Sequence, residues 1–410
     1  MRLRSIELDE FVVECDRRGG PGHPDCHEYW KKFEYQRNID VNKALDPFSD
    51  KYFSQQVALY GEISGRNLNQ FENEHTIFNV IRHAAARNPY DHGDPAALAG
   101  HLLRLHTAFR LAALPRGGNL LDMGCGWGLS SEAAAYLGLN VTAVDINEDF
   151  VQLVQTRSKR LDLSIVAEKS SFDTFTSAIE FDGVLFYECL HHATRPWDVV
   201  ARMASMMKDG GKLMLCGEPI NEFWWPNWGL RLDPLSVYCI RKHGWFESGW
   251  SLAFILECLQ RAQFLCDVTQ SPDQDIGTVI VATKRGQERD LLSADWLARN
   301  ASLAGAALDG KFLVVGAEAA ITMKSPIKLP EPKLVAHNYR PSKVSVWIRV
   351  DDGEFRRAEL IKGESKLPLI GFAPGSTLSI RSETWVPAQE IGNSDQRELG
   401  FHILGLEVGR

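Results

Sequence analysis

From Asn119 to Lys284, short apolar, β-rich runs alternate with segments whose apolar residues recur every three to four positions. The runs predict strands over Asn119–Met123, Asn140–Asp145, Ser164–Ala167, Phe181–Tyr187, Lys212–Cys216, Phe264–Gln270 and Thr278–Thr283. Helices are predicted between them over Ser130–Leu137, Asp149–Arg160, Trp197–Met207 and Ser251–Ala262. Such β/α alternation builds a mostly parallel sheet with helices on both faces, an α/β Rossmann-like core. The last two strands have no helix between them and predict an antiparallel hairpin at one end of the sheet.

The flanks follow other patterns. Residues 1–118 read as a helical N-terminal cap, ending in a helix near Ala96–Leu114 that stops at Pro115 and Gly117-Gly118. Residues 119–285 form the core. Residues 286–343 read as linker and connecting elements: a helix near Asp290–Ala304, a short strand at Lys311–Val315 and the Pro-rich stretch KSPIKLPEPK. In residues 344–410, VSVWIRV, TLSIRSETW and GFHILGLEV alternate apolar with polar positions, which predicts a small all-β module.

A length of 410 residues suits two or three such domains. The net charge of -8 argues against a nucleic-acid or anionic-membrane partner, since both need a basic surface. No run approaches the ~18 apolar residues of a membrane span, and acids interrupt the N-terminus where a signal peptide needs an apolar stretch. Eight scattered cysteines, several within apolar runs, read as reduced core thiols. A cytoplasmic protein is expected.

The most informative segment is Asn119-Leu-Leu-Asp-Met-Gly-Cys-Gly-Trp-Gly-Leu-Ser130, a buried strand ending in a glycine turn that opens a helix. Glycine permits positive φ and close approach of a ligand, and the helix start presents N–H groups. A dinucleotide fingerprint would read G-x-G-x-x-G, but the glycines fall at Gly124, Gly126 and Gly128 and the fifth position after Gly124 is Leu129. Asp122 just ahead of the turn would repel a pyrophosphate and suit a cationic amino group. Asp145, closing the second strand, is placed to take the two hydroxyls of a ribose. Ser171 and Phe172 follow the third strand, where they can flank an adenine. Phe181-Asp-Gly-Val-Leu-Phe-Tyr-Glu-Cys-Leu-His-His192 empties a polar cluster at the end of the fourth.

With LLDMGCGWG, the acid of AVDIN and FDGVLFYECLHH in that order, residues 119–284 resemble the class I S-adenosylmethionine-dependent methyltransferases. The resemblance implies S-adenosylmethionine as cofactor. It implies a cofactor site of Asp122, Gly124, Cys125, Gly126, Gly128, Asp145, Ile146, Ser171, Phe172, Tyr187 and Glu188.

Methyl transfer to a hydroxyl needs alignment, exclusion of water and a base for the departing proton. His191 and His192 are candidate catalytic bases, and Glu218 in CGEPI is a third unless it caps nearby backbone N–H groups. Between the fifth strand and the next helix, five of the eleven tryptophans crowd one insertion. There Trp224, Trp225, Trp228, His243 and Trp245 are expected to bind the acceptor; an aromatic mini-core against the N-terminal helices is the alternative. Cys15, His23, Cys26 and His27 share one loop, but their spacing matches no familiar zinc pattern and no metal is expected.

The ending SETWVPAQEIGNSDQRELG then FHILGLEV resembles a β-rich extension of bacterial surface-polysaccharide enzymes, particularly glycosyltransferases. DPFSDKYFSQQVALYGEISGRNLNQFENE resembles segments that precede methyltransferase domains in the same clusters. Together they imply O-methylation of a sugar hydroxyl, on a nucleotide-sugar or glycan, with contacts to polysaccharide-assembly enzymes through the C-terminal module. The alternatives are a non-sugar small-molecule acceptor, or a non-catalytic adaptor that keeps the fold.

Overall fold

The structure, a computed structural model, describes all residues except 91, 92, 222, 224, 271–276, 287–289, 326 and 410. The chain divides into two compact units, residues 1–265 with 270–284, and residues 266–269 with 285–410.

The first unit opens with β1 (Arg2–Leu3), α1 (Leu8–Arg17), α2 (Pro24–Trp30) and β2 (Glu34–Tyr35), then α3 (Asp50–Ser64), α4 (Gln70–Asn73), α5 (Val80–Ala85) and α6 (Pro95–Ala112). Side chains set the helix starts: Ser49 accepts from the Tyr52 N–H, and Asp94, followed by Pro95, accepts from the Ala96 N–H. The core follows as β3 (Asn119–Met123), α7 (Leu129–Tyr136), β4 (Asn140–Asp145), α8 (Glu148–Leu161), β5 (Ile165–Lys169), β6 (Phe181–Tyr187), α9 (Pro196–Ser205) and β7 (Met207–Cys216). An insertion carries β8 (Trp228–Leu230), α10 (Pro234–Lys242) and β9 (Ser248–Trp250) before α11 (Leu252–Arg261), β10 (Phe264–Gln270) and β11 (Thr278–Lys284).

The seven-stranded sheet has the order β10-β11-β7-β6-β3-β4-β5. Strands β5, β4, β3, β6 and β7 pair in parallel, and β11 runs antiparallel to β7. This is a Rossmann-like α/β fold, as the strand and helix pattern predicts. The order reverses at β3 and β6, so their carboxyl ends part into a crevice where a ligand can enter. Both central strands are buried on both faces, which is why they read as continuous apolar runs.

The second unit holds α12 (Ala294–Asn300) and one nine-stranded sheet of β12 (Asp290–Ser293), β13 (Ala301–Asp309), β14 (Phe312–Met323), β15 (Lys333–Asn338), β16 (Val344–Val350), β17 (Arg356–Leu360), β18 (Gly363–Pro368), β19 (Thr377–Ser382) and β20 (Phe401–Val408). Its main path runs β17-β16-β19-β14-β20-β15-β18, with β12 on β20 and β13 on β14. Here the structure departs from the sequence expectation. The helix read near Asp290–Ala304 is cut to α12, and the short strand at Lys311–Val315 grows into β14. Alanine-rich SLAGAALD favours a helix locally, yet Gly310, at φ +62°, turns the chain so that Asp309 faces Phe312 across a hairpin. Cross-strand pairing overrides the local preference. Of the Pro-rich stretch, Pro326 lies outside the described residues.

Candidate active site

The carboxyl ends of the first four parallel strands open into a cavity of about 300 Å³. Gly124, Cys125, Gly126 and Trp127 of the glycine turn line it, as do Asp145, Ile146, Ser171, Phe172, Tyr187 and Glu188. The turn is shaped by its glycines. Gly126, at φ +47°, has open space where a side chain would project, so any larger residue would take volume from the cavity.

Asp145 holds this turn from the next strand. Its Oδ2 accepts from the Gly126 N–H at 2.9 Å and its Oδ1 from the Asn147 N–H at 2.9 Å. Each oxygen keeps a second lone pair for a donor in the cavity. Burial pushes the Asp145 carboxyl up to about 6, against the pull of the two N–H groups and His192.

Asp122 and Gly128 are brought to the turn without lining the cavity. Asp122 is fully buried beneath it and accepts the Ser130 and Ser131 hydroxyls on Oδ2. Its Oδ1 is buried with no hydrogen-bond partner among the described residues. A buried acceptor left open fits a donor that the protein itself does not supply. Burial holds this carboxyl at about 6, opposed by the two serines. Gly128 caps α7, where a Cβ would stand 2.8 Å from Val154 Cγ2, so its part is close helix packing.

At the end of β6, Glu188 takes the left-handed conformation, φ +55°, which is costly for a residue with a Cβ and characteristic of functional sites. Arg104 Nη2 of α6 donates to its carboxylate at 2.6 Å, and His101 Nδ1 lies 3.5 Å away. Burial would raise the Glu188 carboxyl, but His101 and Arg104 together hold it below its ordinary value.

The three candidate bases part company. Glu218 is enclosed and accepts the N–H groups of Cys189, Leu190 and His191 at 2.9–3.1 Å, the capping role weighed as its alternative. His191 is buried behind the cavity, with Nδ1 2.9 Å from Glu218 and Nε2 3.6 Å from Glu247. His192 alone lines the cavity. Burial disfavours its charged ring, yet Glu74, at 3.1 Å from Nδ1, and the farther Glu247 and Glu218 hold its pKa at about 9. His191, His192 and Glu247 bring ligand atoms within 4.8 Å of one another. Each already faces a polar partner of its own, Glu218, Glu74 or Arg231, and the group is read as part of a polar network. Cys15, His23, Cys26 and His27 form no such group among the described residues.

The insertion corrects the acceptor-side expectation. Trp225 is buried and donates Nε1–H to Leu230 O at 2.7 Å, under Arg37 and Lys43. Trp228 is buried among Tyr52, Trp197 and Phe254 and donates to Pro47 O. Both belong to the aromatic mini-core that fastens the insertion to the cap, because indoles bury more apolar area there than in an open pocket. His243 does not line the cavity and stacks 4.6 Å behind Trp245, which does. Trp224 lies outside the described residues.

Sequence reasoning missed the cap's share of the cavity: Gln70, Phe71, Glu74, Thr76 and Tyr90. Nothing local marks them, since they meet the site only through tertiary packing. Trp127 was missed as well, although its place between Gly126 and Gly128 puts it in the glycine turn that lines the cavity.

Residues 121–215 match the family described as a methyltransferase domain. The ubiquinone biosynthesis O-methyltransferase of Xanthomonas axonopodis pv. citri (strain 306) is 36% identical over 103 residues, 25% of this chain and 43% of that one. The enzyme of the same name from Coxiella burnetii (strain Dugway 5J108-111) is 34% identical over 99 residues, 24% and 42% of the two chains. The chain thus spans less than half the length of these curated relatives. Among solved structures, Burkholderia thailandensis 1,6-didemethyltoxoflavin-N1-methyltransferase aligns with 46% of this chain and 79% of its own, at 19% identity and TM-score 0.37. The N-methyltransferase NodS of Bradyrhizobium japonicum aligns over 54% and 100%, at 17% identity and TM-score 0.36. The glycine turn and, apart from the first residues of β3, the strands that form the cavity fall within the matched residues.

Proposed function

We propose that this chain is an S-adenosylmethionine-dependent methyltransferase acting on a hydroxyl group. One observation carries the reading: an open glycine turn sits between the cavity-lining Asp145 and the buried Asp122, whose Oδ1 awaits a donor. Asp145 would take the ribose hydroxyls. Asp122 would face the amino end, Gly124 and Gly126 would admit the backbone-hugging part, and Ser171 and Phe172 would flank the base. When bound, S-adenosylmethionine supplies an electrophilic methyl on a sulfonium. The protein then has to orient the acceptor, keep out water and receive a proton. His192, in its neutral form, is the group in the cavity suited to receive it.

For the acceptor, a sugar hydroxyl is supported by the resemblance of both flanking segments to surface-polysaccharide enzymes and by the Trp245 ring at the cavity. A second reading, a hydroxyl on a non-sugar small molecule, is favoured by the curated relatives, whose names give ubiquinone biosynthesis. A panel of nucleotide-sugars, oligosaccharides and phenols, offered with S-adenosylmethionine and read by mass gain of one methyl, separates them. Methylation of phenols alone excludes the sugar reading, and methylation of none, with the cofactor bound, favours an adaptor.

A further inference from the structure

Glu74 has no place in any glycine-turn motif, yet it lines the cavity beside His192. It follows α4 in the cap and is fixed at both ends of its carboxylate. Oε1 accepts from the Phe246 N–H at 2.8 Å, and Oε2 stands 3.1 Å from His192 Nδ1. The same cap segment grips the histidine's backbone, with Gln70 Nε2 donating to His192 O at 2.6 Å. Among the described residues none hydrogen-bonds to His192 Nε2.

We propose that Glu74 is a positioning residue for His192: it holds Nδ1 protonated and turns Nε2 to the acceptor hydroxyl. This rests on the methyltransferase reading of the site. The logic is that of a carboxylate behind a catalytic imidazole, which fixes the tautomer and stabilises the imidazolium that forms. In the step, which only the neutral form of the ring can carry out, the acceptor oxygen gives its proton to the free lone pair of Nε2 and gains the methyl, whose former bonding pair remains on sulfur. The ring later returns the proton to solvent. Other ionisable groups facing the ring are Glu247, Glu218, Asp145 and His191; the Glu74 carboxylate lies 3.1 Å from Nδ1, an ion-pair contact whose angle falls short of a hydrogen bond. Glu74 is therefore the largest single attraction that raises the ring's pKa, and the neutral ring that serves as base gains population as pH rises towards about 9.

The test compares wild type, Glu74→Gln and Glu74→Asp by two readouts. First, the His192 ring is titrated by NMR in the cofactor-bound protein, with His192→Gln assigning the resonance. Glu74→Gln should lower its midpoint by at least one pH unit, with Glu74→Asp in between. Second, the acid limb of kcat should move by the same amount, and the plateau should fall about tenfold, within the range general-base groups contribute. The KM for cofactor should not change. A titration midpoint unmoved in both variants overturns the proposal, as does a limb that stays in place while only stability falls. If no acceptor is ever methylated, the proposed activity fails, and the NMR arm still decides whether Glu74 governs His192.

Discussion

The cavity has two walls of different origin. The wall built by β3, β4, β5 and β6 is local chemistry: a glycine turn, an acid closing the next strand, and a polar cluster after β6. The wall built by the cap is remote chemistry, in which Gln70, Phe71, Glu74, Thr76 and Tyr90 come from a segment well upstream of the glycine turn. The first wall is set by backbone conformation, which only certain residues permit. The second is set by how the cap is fastened. Asn147 Nδ2 donates to Thr76 O, and buried Arg157 pairs with Glu132 while donating to the carbonyls of His83 and Ala86. One wall of the cavity is encoded in a motif and the other in packing.

The largest effects should come from undoing the fastening. Arg157→Ala strands Glu132 in the interior and frees two cap carbonyls, and should cost about 3–5 kcal/mol of stability, the range for a broken buried pair. Trp228→Ala, which empties the joint between insertion and cap, should cost about as much. Chemical denaturation checks both. A loss under 1 kcal/mol in each would mean that the cap stands without these anchors.

Next in size is the motif wall. Asp145→Ala removes the acceptor of the Gly126 and Asn147 N–H groups and of the proposed ribose hydroxyls, and should weaken cofactor binding about 100-fold with the fold intact. Titration calorimetry measures it, and unchanged affinity would remove Asp145 from the ribose role.

The pH dependence separates the walls again. Asp122 and Asp145 are both held at about 6 by burial, above their ordinary 3.8. A carboxyl raised on folding adds stability below the unfolded value that is lost as pH rises through 6, so the ligand-free protein should lose stability between pH 4 and 6. Cofactor binding prefers the ionised carboxylates and should run the other way, weaker at pH 5 than at pH 7 by about tenfold for each of the two acids that must be ionised, about 100-fold for both. A flat affinity over that interval would detach both acids from the cofactor. The smallest effect is expected from Trp245→Ala, which should raise the acceptor KM by roughly threefold to tenfold, the loss of one aromatic contact, and leave cofactor affinity alone.

Legibility in the sequence follows the same division. Strands Asn119–Met123, Asn140–Asp145 and Phe181–Tyr187 are found where their apolar runs place them, because buried parallel strands announce themselves locally. The β13–β14 hairpin was hidden, since alanine-rich strands carry helical preference and only pairing reveals them. Trp225 and Trp228 resembled a binding pocket because an indole reads the same in a core and at a ligand; burial distinguishes the two, and sequence does not record it. Glu74 was out of reach for the converse reason, a single acid in a polar stretch whose neighbour lies more than a hundred residues on.

The central claim is that the corner between Asp122 and Asp145 receives S-adenosylmethionine. A crystal of the full chain grown with S-adenosylhomocysteine tests it most directly. The account requires the nucleoside in the cavity with its ribose on Asp145 and its amino group toward Asp122. Clear density for the protein with that corner vacant, or with NAD preferred there in competition, would contradict it.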